Sequence, residues 1–192
     1  MESLVAVEQP DPDLELDLWP RVASGDLEAA EELARCTYRA VFVSLYRLCG
    51  GDEDLAADLT QETYRKAWRS IGKFRGGSKF STWLYRIAYN TFLNHIRRPR
   101  LMEPLVEDKA EQIREPGETA FEAAHRSIKE ARLHGAILDL PDELRYAVTA
   151  RFWAELPLAE IAQQQEISTV GLRKRLQRAY RQLAVALEGE SQ

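Results

Sequence analysis

Three times in its N-terminal half this chain sets a short polar side chain directly before a long run whose apolar residues recur at helical spacing. Asp26 precedes LEAAEELARCTYRAVFVSLYRL, Asp52 precedes EDLAADLTQETYRKAWRSI, and Ser81 precedes TWLYRIAYNTFLNHIRR. Asp and Ser accept hydrogen bonds from the unpaired N–H groups of a first helical turn, so each reads as an N-cap. Gly50-Gly51, Gly72 and Gly76-Gly77 interrupt the runs, and Pro99 closes the third. In the second run Leu55, Leu59, Ala67, Trp68 and Ile71 mark one buried face. No stretch sustains the alternation of a strand, and no internal repeat appears. The expected fold is all-α.

Charge divides the chain in two. From Arg65 to Arg100 there is no Asp or Glu, although the formal net charge of the whole is -5. Arg65, Lys66, Arg69, Lys73, Arg75, Lys79, Arg86, Arg97, Arg98 and Arg100 all fall in that window. After Arg100 the sign reverses: Glu103, Glu107, Asp108, Glu111, Glu115, Glu118 and Glu122 face only Lys109 and Arg114, with Pro104 and Pro116 among them. Such a stretch reads as an acidic, largely extended tether. Helical spacing resumes near Ala120 and runs to about Leu138. Pro141 suits the first position of the next helix, Pro157 opens LAEIAQQQ, and Ser168 caps TVGLRKRLQRAYRQLAVAL. The expected organisation is an acidic N-terminal extension over 1–17, a helical domain over 18–100, an acidic linker over 101–125 and a second small helical domain over 126–188.

Several classes are disfavoured. Cys36 and Cys49 have no metal-ligand spacing, and on one helix they would stand about 20 Å apart, beyond disulfide reach. They read as free thiols in a reducing compartment. The start, MESLVAVEQPDPDLELD, lacks the order of a signal peptide, and no apolar run is long enough to span a bilayer. The expectation is a cytoplasmic protein without membrane insertion.

Two surfaces suit nucleic acid. On a helical wheel Tyr85, Ala88, Tyr89, Phe92 and Ile96 form one stripe, the expected inner side of the third run. Arg86, Asn90, Asn94 and Arg97 lie opposite, and Trp83 falls with them. An aromatic ring beside Arg and Asn on a solvated face can stack on a base and hydrogen-bond its edge. The plainer alternative has Trp83 packed on a neighbouring helix and the cations serving solubility. The second surface is the final run, where Leu172, Leu176, Ala179, Leu183 and Leu187 share a core side. Lys174, Gln177, Arg178 and Arg181 project away from it, with Arg173 and Arg175 at the margins. From Ile167 to Leu187 there is again no acid. With the short helix before it and the cap at Ser168, this reads as a DNA-binding helix-turn-helix.

Four blocks, in order, carry a family resemblance: DEDLAADLTQETYRKAW, FRGGSKFSTWLYRIAYN, LPDELRYAVTARFWAELPLAEIAQQQEIS and LRKRLQRAYRQL. They resemble the extracytoplasmic-function (ECF) sigma factors of bacterial RNA polymerase, from about Leu18 to Leu187. The resemblance implies a first domain like sigma region 2, which grips the polymerase clamp and melts the minus-ten element. It implies a second domain like region 4, which docks on the flap and reads the minus-thirty-five element. In that family a base is flipped into a pocket made by the loop before the reading helix; the matching loop is Gly76, Gly77, Ser78, Lys79 and Phe80. Trp83, Arg86 and Asn90 then match base-reading positions, while Arg97 and Arg98 suit phosphates. Asp58, Gln61, Glu62 and Arg65 match positions that bind core polymerase, with Trp68 as a packing anchor. Arg173, Lys174, Gln177 and Arg178 match positions facing the major groove. The implied partners are bacterial core RNA polymerase and promoter DNA, both duplex and melted non-template strand; an anti-sigma factor is a common further partner. The linker would act as a nucleic-acid mimic until RNA displaces it. No cofactor and no metal are implied.

Two departures stand out. The family usually has an apolar pair, and often Gly, in the turn where this chain has Gln164, Gln165 and Glu166. Gly171 sits early in the final helix and costs up to about 1 kcal/mol of helix stability. These departures imply either weaker DNA binding by the second domain or looser packing within it. Two rival functions compete with the sigma reading. One is an operator-binding regulator that uses the helix-turn-helix without polymerase. The other is a metal-dependent nuclease built on Asp52, Glu53, Asp54, Asp58 and Glu62. Those carboxylates spread around a helix, and His95, His125 and His134 are scattered, so the chain is not expected to be an enzyme.

Overall fold

The computed structural model describes residues 12–97 and 120–188. Among these residues there are eight α-helices, one 3-10 turn and no strand. The helices are α1 (Pro12–Ala23), α2 (Leu27–Leu48), α3 (Glu53–Ser70), α4 (Phe80–Arg97), α5 (Ala120–Leu138), α6 (Asp142–Phe152), α7 (Leu158–Gln164) and α8 (Thr169–Glu188). The 3-10 turn, Ile71–Lys73, follows α3. The all-α expectation holds. Most of the acidic linker expected over 101–125 lies outside the described residues, as does Arg98.

Local chemistry starts and stops the early helices. The Asp26 carboxylate accepts from the Ala29 N–H at 3.0 Å, and that of Asp52 from the Leu55 N–H at 2.9 Å, both as N-caps. At the end of α2, the Gly50 N–H returns to the Arg47 carbonyl and the Gly51 N–H to the Tyr46 carbonyl. This paired closure needs a left-handed residue, and Gly50 supplies it at φ 69°.

The third start differs from the sequence expectation. Helix α4 begins at Phe80, so Ser81 lies in its first turn instead of before it. The Ser81 N–H donates to the Glu15 carboxylate, 3.2 Å from each oxygen, and its hydroxyl donates at 3.3 Å. A carboxylate from α1 thus does the work of the cap. Glu15 is only 2% exposed, and burial pushes its pKa up against the lowering effect of the Ser81 bonds. Helix α1 crosses residue 18, so Glu15 and the buried Leu18 belong to one continuous element.

Helices α1 to α4 pack into the first unit around Leu33, Leu45, Leu48, Leu84 and Phe92. Helix α8 lies against α5, α6 and α7 in the second unit, with Leu144, Ile161 and Leu172 at its centre. Each such side chain contributes about 1.5–3 kcal/mol when fully buried. Leu187, expected on the core side, is exposed in the last turn of α8. The two cores are continuous. Tyr85 and Tyr89 of α4 face α6: the Tyr85 hydroxyl donates to Thr149 at 2.9 Å, and the rings of Tyr89 and Tyr146 meet edge to face at 4.9 Å. Arg47 donates to the Trp153 carbonyl, His134 pairs with the Leu48 carbonyl, and Arg97 pairs with Asp142. The apolar stripe of α4 is therefore an inner face, with Tyr85 and Tyr89 turned toward the other unit and Ile96 at its end 44% exposed.

Candidate nucleic-acid interface

The loop from Gly76 to Lys79 is built from beneath by α1. Gly76 has φ +70°, and a Cβ there would come within 3.1 Å of the Trp19 ring. Trp19 in turn stands edge-on to Phe74, with ring centroids 5.1 Å apart. Phe74 meets Phe80 at 5.7 Å and Trp83 at 5.2 Å, and Phe80 meets Trp83 at 5.4 Å. This aromatic cluster fixes where the loop leaves the 3-10 turn and where α4 begins.

Within that frame the proposed minus-ten residues separate. Arg86, Asn90 and Arg97 are exposed on α4, and Ser78, Lys79 and Trp83 are half-buried beside them. Trp83 keeps one side on Phe74 and Phe80, so it packs inward and still presents surface. Phe80 does not share that position. It is 1% exposed and also stacks on Trp68, so it holds the loop from inside and offers no surface to a strand. Proximity to the loop suggested otherwise; the partners that bury Phe80 come from distant parts of the chain.

On α3, Asp58, Gln61 and Arg65 are exposed along one side, and Glu62 is half-buried. Glu62 pairs with Arg65 at 2.9 Å and with Lys66 at 3.5 Å. Trp68 is half-buried, its ring 5.7 Å from Tyr64 and 6.3 Å from Phe80. These residues form one patch on a different helix from the α4 face.

The second surface rests on the turn between α7 and α8. The Glu166 N–H bonds to the Gln163 carbonyl and the Ile167 N–H to the Ala162 carbonyl, the same closure that ends α2. Here the left-handed position is Glu166, φ 54°, where a side chain is strained. The Ser168 hydroxyl accepts from the Gly171 N–H at 3.1 Å, making it the N-cap of α8 as expected. A Cβ at Gly171 would meet Ser168 and Ile167 only at ordinary contact distances. Arg173, Lys174, Gln177 and Arg178 are all exposed on α8. Glu143 of α6 pairs with Arg178 and, at 3.3 Å, with Arg175, so part of this cationic face is already neutralised.

Sequence reasoning missed Glu15 and Trp19, which hold the loop and the start of α4. Their only sequence signal was an acidic helical pattern reaching back before residue 18. Gln164 and Gln165, at the end of α7, stand out in the sequence as a departure, but nothing local points to their partners.

Among the described residues no cluster of His, Cys, Asp and Glu suits a metal ion, and no helix is long and apolar enough to cross a membrane.

Comparison with known proteins bears on both units. Residues 33–101 match the family model described as Sigma-70 region 2, and residues 130–183 match Sigma-70, region 4. The RNA polymerase sigma-H factor of Pseudomonas aeruginosa is 36% identical over 123 residues, covering 60% of this chain and 64% of that protein. The ECF RNA polymerase sigma-E factor of Haemophilus influenzae is 32% identical over 114 residues, covering 55% of this chain and 60% of that protein. This chain thus spans under two thirds of either relative. Among solved structures, CnrH in complex with the cytosolic domain of CnrY aligns with a TM-score of 0.67 at 22% identity, over 93% of this chain and 100% of that one. The sigma factor RpoE in complex with the anti-sigma factor NepR, from Bartonella quintana, aligns with a TM-score of 0.55 at 20% identity, over 84% and 98%. These two likenesses establish the fold. With a region 2 unit and a region 4 unit in order along one all-α chain, this protein belongs to the extracytoplasmic-function sigma factors of the sigma-70 family.

Proposed function

We propose that this chain binds core RNA polymerase and directs it to promoters, reading the minus-ten element with its first unit and the minus-thirty-five element with its second. One observation carries the proposal: Trp83, Arg86 and Asn90 lie together beside a glycine loop on a helix of an acid-free window, in the same chain as a capped helix-turn-helix. Melted DNA costs stacking energy, and a protein recovers it only by giving unpaired bases a ring and hydrogen-bonding partners. Ser78, Lys79, Trp83, Arg86, Asn90, Arg97 and Arg98 are the residues proposed for that task, with Phe80 as their internal support. Arg173, Lys174, Gln177 and Arg178 are proposed for the major groove. The α3 patch of Asp58, Gln61, Glu62, Arg65 and Trp68 is proposed for polymerase. An anti-sigma protein is a further proposed partner, and the site of action is the cytoplasm. No catalytic step belongs to the chain itself.

The test is run-off transcription from genomic fragments by purified core polymerase, with and without this protein. Defined start sites should appear only with it. A chain that neither binds the polymerase nor selects start sites would overturn the proposal. The rival operator-binding reading predicts tight duplex binding by the isolated chain. The pairing of Arg175 and Arg178 with Glu143 argues against that, because those charges are partly spent before DNA arrives.

A further inference from the structure

The start of α8 carries an apolar side chain that its fold does not use. Ser168 caps the helix, Ile167 before it packs against the core, and Leu172 is buried. An apolar residue on each side of the cap holds the entry of the chain into the helix. Val170 takes no part in this and is 56% exposed. On the helical wheel it stands opposite Leu172, Leu176 and Ala179, in line with Arg173, Lys174 and Gln177. From Ser168 to Arg178 it is the one exposed apolar side chain. The dipole favours an acid in an exposed first turn, and a β-branched side chain lowers helix propensity there. Gly171, beside it, is as unexpected. Its backbone is helical, and a Cβ would lie 3.4 Å from the Ser168 Oγ and 3.6 Å from Ile167, ordinary contacts. Glycine weakens a helix, and neither backbone nor space calls for it here.

We propose that Val170 is a specificity residue, seating its methyl groups against the 5-methyl of a thymine in the major groove of the minus-thirty-five element, while Gly171 keeps its flank bare so that α8 can enter that far. This rests on the function proposed above. A recognition helix presents its N-terminal residues to the base edges. In the major groove thymine alone of the four bases offers an apolar group, and a small aliphatic side chain is its counterpart. Valine suits the task because a helix confines its χ1 almost to one rotamer. Its methyls are therefore held in place before DNA arrives. Arg173, Lys174 and Gln177 supply hydrogen bonds and charge, none of which senses a methyl group. Burying one methyl is worth about fourfold in affinity.

The test uses core polymerase carrying this chain and the duplex promoters recovered by run-off transcription. Each thymine of the minus-thirty-five element is replaced in turn by deoxyuridine, which keeps every hydrogen-bonding group and lacks only the methyl. With the wild-type chain, one position should lose about fourfold in affinity. With Val170→Ala, that position should bind thymine and uracil alike. Val170 is exposed and alanine is the better helix former, so this variant keeps its fold. Gly171→Ala should raise the unfolding temperature yet weaken binding to the thymine promoter, a combination that a purely structural glycine would not give. A uracil penalty of equal size in wild type and Val170→Ala, or none at any position, overturns the reading of Val170. Undiminished binding by Gly171→Ala overturns the clearance assigned to the glycine. Absence of start-site selection by the wild-type chain is a different failure: it removes the promoter reading itself, and this inference with it.

Discussion

The two proposed DNA-reading helices are restrained in opposite ways. On α4 the exposed face carries Arg86 and Asn90 in a window without acids, yet its N-terminal turn is covered by Glu160, Gln163 and Gln164 from the other unit. On α8 the face is open, but Glu143 already pairs with two of its arginines. The first surface meets the other unit at its start, through Thr82, and at its end, where Arg97 pairs with Asp142, whereas the second is accessible and partly neutralised. Steric cover must be removed as a unit; a competing carboxylate only lowers affinity by degree. Recognition by the first unit should therefore behave as a switch and recognition by the second as a tunable contact.

The sharpest break in that comparison is Trp83→Ala with Asn90→Ala. Open-complex formation should be abolished while binding to core polymerase persists, measured by permanganate footprinting and by co-sedimentation. Equal loss of both would show that the α4 face is structural only. Trp83 also packs on Phe74 and Phe80, so Asn90→Ala alone, on an exposed residue, separates reading from folding.

Next in size is Glu15. Glu15→Ala removes the acceptor that serves the first turn of α4 and should cost about 2 kcal/mol in denaturant titration. Glu15→Gln adds a test of sign. Burial raises the folded-state pKa of Glu15, so its contribution to stability is fully present below the ordinary carboxylate range and is lost as pH rises through the raised value. The stability of wild type relative to Glu15→Gln should therefore fall as pH rises through that window and then level off. A difference that grew with pH would mean that the Ser81 bonds outweigh desolvation.

A smaller effect tests the other half of the comparison. Glu143→Gln should release Arg175 and Arg178 and steepen the salt dependence of duplex binding by about one unit of slope, while Lys174→Ala should reduce it by about one. An unchanged slope in both would take α8 away from the DNA. The smallest change expected is Glu166→Gly, which relieves a left-handed residue at the end of α7. It should stabilise the chain by up to about 1 kcal/mol in thermal unfolding without altering the slope.

What could be read from the sequence was what depends on neighbours along the chain. Asp26, Asp52 and Ser168 were recognisable as caps because an N-cap bonds within three residues of itself. The inner stripe of α4 was recognisable from its spacing, since Tyr85 and Tyr89 are apolar enough to mark a buried side. The remaining features depended on partners far away. Ser81 looked like a cap, yet the group serving α4 is Glu15, 66 residues earlier. Phe80 looked available to a strand because it adjoins a glycine loop, and only packing against Trp68, Phe74 and Trp83 shows otherwise. Gln164 was visible as an anomaly and Gln163 was not, and Thr82 and Gly77, which they bind, lie more than eighty residues away.

The tyrosine seam between α4 and α6 makes the junction responsive to alkali. Burial holds the Tyr85 phenol well above its ordinary value and raises those of Tyr89 and Tyr146 as well. Phenolate forms far more readily in a molecule whose halves have parted, where these rings meet solvent. Each proton surrendered on parting ties separation to hydroxide concentration, so strong base acts as a chemical wedge between the halves. The part of the phenolate absorbance that is lost on Tyr85→Phe then gives a label-free optical record of their coming apart.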